Sequence, residues 1–190
     1  LFPYQHSTLW KSLWQLANTL IPYVVLWILI YKSLAISYWL AALLAIPAAG
    51  FLIRSFIIFH DCGHQSFFES KWANDIVGTI LGFLMLVPYY HWTWEHALHH
   101  ATSGDLDKRG DGDLWTLTVD EYLALSPKGR FVYRANRNPF VIFFMAPVPV
   151  FFLKHRFPSA KSKGKERKSV YATTFALLAI FITLGLTIGF

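Results

Sequence analysis

The stretch Leu34–His64, LAISYWLAALLAIPAAGFLIRSFIIFHDCGH, runs from an apolar segment directly into a pair of histidines. Its first 20 residues, Leu34–Ile53, carry no charge. A helix rises about 1.5 Å per residue, so this length covers the roughly 30 Å of a bilayer core. If the helix continues beyond Ile53, His60 and His64 lie one turn apart on one face. The stretch therefore predicts a membrane-spanning helix that ends in two imidazoles.

Two further segments are long enough to cross a membrane. Leu13–Tyr31 has 19 residues without charge and Ser169–Phe190 has 22. The chain is 55% hydrophobic and only 15% charged, whereas soluble domains carry about 25% charged residues. We therefore predict an all-α integral membrane protein with one membrane domain over residues 1–190. Because the chain begins without Met and stops inside an apolar run, we expect it to be a fragment.

A second histidine cluster, HALHH, occupies His96–His100, so that five of the eight histidines fall in two short motifs. His96, His99 and His100 stand at i, i+3 and i+4 and share one narrow helical face. His91 points away from that face, and we expect it to be an ordinary surface or core residue. The clustered imidazoles are costly to bury unless something binds them, and a metal ion is the natural partner. A structural or pH-sensing role is the alternative.

The number of histidines constrains the kind of site. Imidazole suits zinc, copper, iron and nickel, so the ligand type alone does not name the metal. Five histidines exceed the three or four protein ligands of one zinc ion, which suggests two metal ions. The single cysteine, Cys62, excludes an internal disulfide and a CxxC metal site. The acidic stretch Asp105–Asp113 does not start an EF-hand loop, because the fifth and twelfth positions counted from Asp105 are Arg109 and Thr116. We therefore predict a polar loop with glycine turns at Gly104, Gly110 and Gly112.

Together the two motifs resemble the membrane fatty-acid desaturase family, and most closely its bacterial acyl-lipid branch of the delta-12, omega-6 or delta-5 type. The resemblance extends from about Ile53 to Pro158 and consists of HxxxH followed by HxxHH in the family's order. It implies a third HxxHH, which these 190 residues lack, so the fragment alone should be inactive. It also implies two iron ions per complete chain. The implied iron ligands and catalytic residues are the clustered histidines His60, His64, His96, His99 and His100.

The resemblance further implies the reaction. The expected activity is oxygen-dependent introduction of a double bond into a long acyl chain of a membrane lipid, with O2 as co-substrate. Because no flavin, haem or iron–sulfur motif is visible, electrons should come from an external donor such as ferredoxin. Asp61, Glu95 and Asp105 flank the ligands and are predicted to accept their distal N–H groups, although an ordinary solvated role is the alternative.

Two other functions fit the same residues. A membrane di-iron hydroxylase or ketolase acting on alkanes, sterols or carotenoids would share the histidine chemistry. The other alternative is a non-enzymatic metal-binding or transport protein, for which we would expect ionisable residues within the spans. The three clearest spans carry none.

The expected architecture is a helical transmembrane stem with a cytoplasmic, histidine-rich di-metal cap. Ile76–Tyr90, with 15 residues, is too short for a crossing and is predicted to be an interfacial or substrate-lining segment. The tract Lys154–Ser169 has seven Lys or Arg and one Glu, which places it at the cytoplasmic face of a membrane, most simply a bacterial inner membrane. No recognition module accompanies these charges, so nucleic acid is not an expected partner. Phe140–Leu153 is either re-entrant or paired with Val170–Phe190 as a hairpin.

Overall fold

The computed structural model describes residues 7–109 and 115–189, and no strand occurs in those ranges. The chain divides into two compact units, residues 1–85 and 86–190. The first unit contains three helices: α1 (Leu9–Ser33), α2 (Tyr38–Gly63) and α3 (Lys71–Leu84). The second unit contains five: α4 (Tyr89–Thr102), α5 (Val119–Ala124), α6 (Pro127–Ala135), α7 (Pro147–Phe152) and α8 (Gly164–Leu184). The predicted all-α class is confirmed for the described residues.

Three of these helices are long and apolar enough to cross a membrane: α1, α2, and α8 with its continuation to Thr187. They correspond to the three charge-free segments of the sequence. The π-helical turn Gly185–Gly189 prolongs α8 almost to the end of the charge-free run.

The first unit is built on an α1–α2 hairpin, in which α1 packs against α2 and α2 against α3. Its turn is closed by the Ser37 N–H, which donates to the Ser33 carbonyl over 2.8 Å. The Ser37 hydroxyl then accepts from the Trp39 N–H and caps α2. The second span therefore begins at Tyr38, four residues later than the charge-free stretch.

Beyond Ile53, α2 continues for ten residues to Gly63. Arg54 lies within this extension, and its guanidinium donates to Asn18 Oδ1 of α1 over 2.9 Å. The bond gives this charged group, at the edge of the predicted span, a polar partner on the neighbouring helix. The extension matters for function because it carries the first histidine motif in helical register.

The segment between the two histidine motifs is not one continuous element. α3 ends at Leu84, and α4 begins at Tyr89. Between them Leu86 adopts φ +60°, and Pro88 occupies the N-cap position of α4. At 14 residues, α3 is short for a complete crossing. That this segment stays in one leaflet remains a prediction.

In the second unit α4 packs against α8. Phe140–Leu153 is broken into a π-helical turn, Val141–Met145, and the short helix α7. Pro147 begins α7, where its missing N–H costs nothing. The segment is not among the three helices long enough to cross a membrane. A 3-10 turn, Lys154–Arg156, follows it and leads towards α8.

Candidate metal centre

The first histidine pair lies at the C-terminal end of α2. The rings of His60 and His64 meet edge to face with their centroids 4.5 Å apart. Each ring offers a nitrogen within 4.8 Å of one on the other. His60 is half-buried and His64 is exposed. The predicted one-turn spacing is therefore present, and two imidazoles are available together just past the span.

Asp61 supports this pair. Its Oδ1 lies 3.2 Å from His60 Nδ1. A carboxylate that accepts the Nδ1–H fixes the tautomer and leaves the Nε2 lone pair available for a metal. The predicted role of Asp61 beside a bound metal remains a prediction.

The turn after His64 ends α2 abruptly. Gln65 adopts φ +59°, an uncommon conformation for a residue other than glycine. Its side-chain amide donates to the Cys62 carbonyl and to Asp75 Oδ1 of α3, both over 3.1 Å. These two bonds tie the end of the motif to the neighbouring helix.

The loop that follows is held by a buried amide. Asn74, which has no exposed surface, accepts from the Phe68 N–H over 3.0 Å and donates to the Phe68 carbonyl over 2.7 Å. The Ser12 hydroxyl donates to the Phe67 carbonyl over 2.6 Å. Backbone polar groups of the buried loop are thereby satisfied. Sequence reasoning missed Asn74, because a lone Asn in an apolar helix has no distinctive spacing.

The second cluster lies on α4 and places two ring nitrogens in direct contact. His96 Nε2 and His100 Nε2 are 3.0 Å apart. Two nitrogens bound at about 2.1 Å to one ion, with a right angle between them, would be separated by about 3 Å. The ring of His99 lies 5.8 Å from that of His96 and 5.6 Å from that of His100, centroid to centroid. The three predicted residues thus share one helical face, and the donor set is purely imidazole.

Trp92 fixes the plane of one ring in this cluster. Its indole stacks on His96 with centroids 4.4 Å apart and an interplanar angle of 18°. Stacking restricts rotation of the imidazole about its last torsion. Sequence reasoning missed this residue, although its i, i+4 spacing to His96 was a usable signal.

His91 is buried on the other side of α4. Its Nε2 accepts from the Ser159 N–H over 3.0 Å, and its Nδ1 lies 3.6 Å from Glu95 Oε2. Because Nε2 is an acceptor, the ring is neutral with its proton on Nδ1. Burial lowers the pKa of His91, against the opposing effect of Glu95. His91 thus links α4 to the segment before α8, as a core residue rather than a member of the cluster.

The two other carboxylates predicted beside the ligands have different described contacts. Glu95 faces His91 and, at 3.9 Å, Lys154. Asp105 accepts from the Asp107 N–H over 3.0 Å and pairs with Lys108, and these contacts lower its pKa. A role for Glu95 and Asp105 beside the clustered histidines therefore remains a prediction.

The polar loop after the second cluster begins as predicted. Gly104 adopts φ +82°, a left-handed conformation that favours glycine. A 3-10 turn, Leu106–Lys108, follows it. The predicted turn residues Gly110 and Gly112 lie outside the described residues.

Comparison with known proteins assigns the chain to a family. The model of the family "Fatty acid desaturase" matches residues 36–190. A "Fatty acid desaturase" of Bacillus subtilis (strain 168) is 49% identical over 179 residues, covering 94% of this chain and 51% of that protein. An "sn-1 acyl-lipid omega-3 desaturase (ferredoxin)" of Nostoc sp. (strain 36) is 33% identical, covering 68% of this chain and 36% of that protein.

A third relative, an "sn-1 oleoyl-lipid 12-desaturase" of Synechocystis sp. (strain ATCC 27184 / PCC 6803 / Kazusa), is 35% identical over 47% of this chain and 25% of its own length. No solved structure matches the chain. The chain spans about half the length, or less, of these curated relatives. Since the family match covers most of the chain, including both histidine motifs, this protein belongs to the fatty acid desaturase family.

Proposed function

We propose that the full-length protein is an oxygen-dependent acyl-lipid desaturase whose iron is bound by His60, His64, His96, His99 and His100. The observation that carries the proposal is the pair of Nε2 atoms 3.0 Å apart on α4, within a chain of the desaturase family. The remaining iron ligands are supplied by residues outside these 190, corresponding to the third HxxHH of the family pattern. The assembly of both motifs into one centre is part of the proposal.

The donor set fits iron. The described cluster residues offer imidazole nitrogens, a ligand type that suits iron as well as zinc and copper. Bound iron, at two ions per complete chain, would supply the activation of O2 that removal of unactivated hydrogens requires. The choice of iron over the other metals comes from the family.

The reaction removes one hydrogen atom from each of two neighbouring methylenes and leaves a carbon–carbon double bond. Reduction of O2 to two waters takes four electrons, of which two come from the cleaved C–H bonds. The other two electrons must come from a separate donor. A ferredoxin is the proposed donor, since the Nostoc relative carries that word in its name.

The residues of this chain hold and orient the imidazoles. Asp61 keeps the proton of His60 on Nδ1, and Trp92 fixes the plane of the His96 ring. His91 joins α4 to Ser159 and so limits rotation of α4 about its own axis. Together these contacts would hold the imidazoles in place for a metal ion.

The proposed location of the histidines is the cytoplasmic face of a bacterial inner membrane. The support is the basic tract Lys154–Ser169, which contains the start of α8 and its predicted membrane entry. Single cysteines at Ser66 and Ser103, in a Cys62→Ser background, would be labelled with an impermeant thiol reagent in oriented vesicles. Equal accessibility at the two sites is expected, and opposite accessibility would refute a shared centre.

The activity is tested by expressing the full-length protein in a bacterial host that makes only saturated and monounsaturated lipids. Mass spectrometry of the lipid acyl chains should show a new double bond that forms in air and not under nitrogen. Metal analysis of the purified protein should give about two irons per chain. An oxygenated carbon in the product would indicate the hydroxylase alternative, and zinc without iron would refute the proposed centre.

A further inference from the structure

A cavity in the second unit combines apolar walls with two polar side chains. Its volume is about 240 Å³. Phe151 and Phe152 of α7 line it, together with Leu177, Leu178 and Phe181 of α8. The polar groups on its wall belong to Arg156 and Thr174. This volume is smaller than the about 300 Å³ of the smallest pockets for drug-sized ligands. The cavity can therefore hold only part of a larger ligand.

The guanidinium of Arg156 is only partly satisfied. Its Nη2 donates to the Leu86 carbonyl. Its Nε and Nη1 are buried and have no hydrogen-bond partner in the described part of the chain. A guanidinium is always protonated, and a charge removed from water is expensive unless it is paired. Burial lowers the pKa of Arg156, as expected of a cation without a compensating anion.

Thr174 presents a second unsatisfied group on the same wall. Its hydroxyl is buried and has no partner among the described residues. It stands on α8 six residues past Lys168, the last charge before the span, or about 9 Å along the helix axis. That distance slightly exceeds the thickness of the headgroup layer, which is about 5–7 Å. The Thr174 hydroxyl therefore lies close to the boundary between the lipid headgroups and the hydrocarbon.

The charge around the cavity is positive. Arg156 lies in the tract Lys154–Ser169, in which seven cations face one carboxylate, Glu166. Such a tract attracts anionic lipid to its surface. A phosphate is the anion that best matches the planar fork of a guanidinium, which can bind two of its oxygens at once.

We propose that this cavity binds the phosphate of a membrane glycerophospholipid. Arg156 turns its Nε and Nη1 towards the phosphate, and the Thr174 hydroxyl donates to it. The first part of an acyl chain then lies along Leu178 and Phe181, whose side chains are more than half exposed. The proposal concerns binding alone and does not depend on the reaction at the histidines.

The test is competitive binding of a fluorescent phosphatidylglycerol to the full-length protein in an uncharged detergent. Saturable binding is expected, with displacement by unlabelled phosphatidylglycerol. Inorganic phosphate should compete at least about a hundredfold less well, since it cannot fill the apolar part. Arg156→Gln should weaken binding about tenfold or more. Arg167→Gln is the matched control, because it removes one charge from the same tract at an exposed position and should change binding less than about twofold.

Two further variants keep the test decisive if Arg156→Gln does not fold. Thr174→Val removes only the hydroxyl and should weaken binding about threefold. Leu178→Trp fills the apolar part and should abolish competition by the phospholipid. If Arg156→Gln and Arg167→Gln weaken binding equally, the affinity depends only on the general charge of the surface, and the proposal is overturned. Absence of saturable binding to the wild type, or equal competition by inorganic phosphate, would also overturn it.

Discussion

The two histidine clusters are built differently, although each presents imidazoles from a helix. His60 lies in the last turn of a 26-residue helix and His64 is its C-cap residue, and the direction of that helix follows from its length and apolar surface. The second cluster lies on α4, a helix of 14 residues, which is too short to cross a membrane by itself. Its orientation depends on side-chain contacts such as that of His91 with Ser159.

This difference predicts how substitutions near each cluster act. The first is supported by hydrogen bonds close in sequence: Asp61 to His60, and Gln65 to Cys62. The second is supported by a bond that joins residues 68 positions apart. We therefore expect changes near the first cluster to act on the metal ligands directly, and changes near the second to act through folding of the unit.

The largest expected effect tests whether both clusters contribute ligands to one iron centre. His64→Ala and His96→Ala, each in the full-length protein, should lower desaturation at least about 1,000-fold, or about 4 kcal/mol of transition-state stabilisation, because each removes a proposed iron ligand. Product formation and iron content are measured together. Lys108→Ala, at an exposed site after the second cluster, is the control and should be active. Retention of activity by either histidine variant would show that the clusters do not act as one centre.

Acid should destabilise the second unit through His155. An unfolded histidine binds a proton near pH 6.5, whereas burial, assisted by Lys154 and Arg156, lowers the pKa of His155 to about 4. Between these values the unfolded state binds more protons, so stability is full above pH 6.5 and is lost as the pH falls towards 4. The loss is at most about 3 kcal/mol. Thermal midpoints of metal-free protein in detergent should fall across this window.

His155→Gln provides the control for this effect, because its amide does not titrate. Its midpoint should depend much less on pH between 6.5 and 4. Parallel curves for the variant and the wild type would assign the acid sensitivity to other groups.

His91→Ala should cost about 2 kcal/mol of stability, because it leaves the buried Ser159 N–H without its acceptor and opens a small cavity. Because His91 is not a proposed ligand, the specific activity of the protein that remains folded should stay within about threefold of wild type. Thermal midpoint and activity per folded molecule are the two measurements. His91→Gln, which retains an acceptor, should recover part of the stability. A complete loss of activity in folded His91→Ala protein would make His91 a member of the site.

The smallest expected effects concern two carboxylates, Asp61 beside the first cluster and Asp105 after the second. Asp61→Asn should lower activity and iron affinity about tenfold, since the amide no longer holds the His60 proton on Nδ1. Asp105→Asn should change both by less than about twofold, because its described contacts stay within its own turn. Equal losses in the two variants would place Asp105 beside the ligands after all.

The sequence predicted the elements that depend on local composition. The three spans followed from charge-free runs, and the alignment of His60 with His64 followed from continuing one of those runs as a helix. The helical face shared by His96 and His100 followed from spacing alone. In each case the determining pattern lies within one helix.

What the sequence could not predict depends on partners distant along the chain. His91 was correctly expected to be a core or surface residue, but nothing near it in sequence indicated the bond to Ser159. Likewise Ile76–Tyr90 looked like one apolar segment, whereas Leu86 and Pro88 interrupt it. The contacts of Glu95 with His91 and Lys154 depend on the fold of the second unit.

The two hydrogen bonds between the Asn74 side-chain amide and the Phe68 backbone have a consequence for the order of folding. They close a loop of only six residues, so the entropy lost in forming it is small. All of its atoms belong to residues that precede α4 in the chain. We expect the end of the first motif to fold without the second, so that a chain truncated after Leu84 would already protect the Phe68 amide from hydrogen exchange.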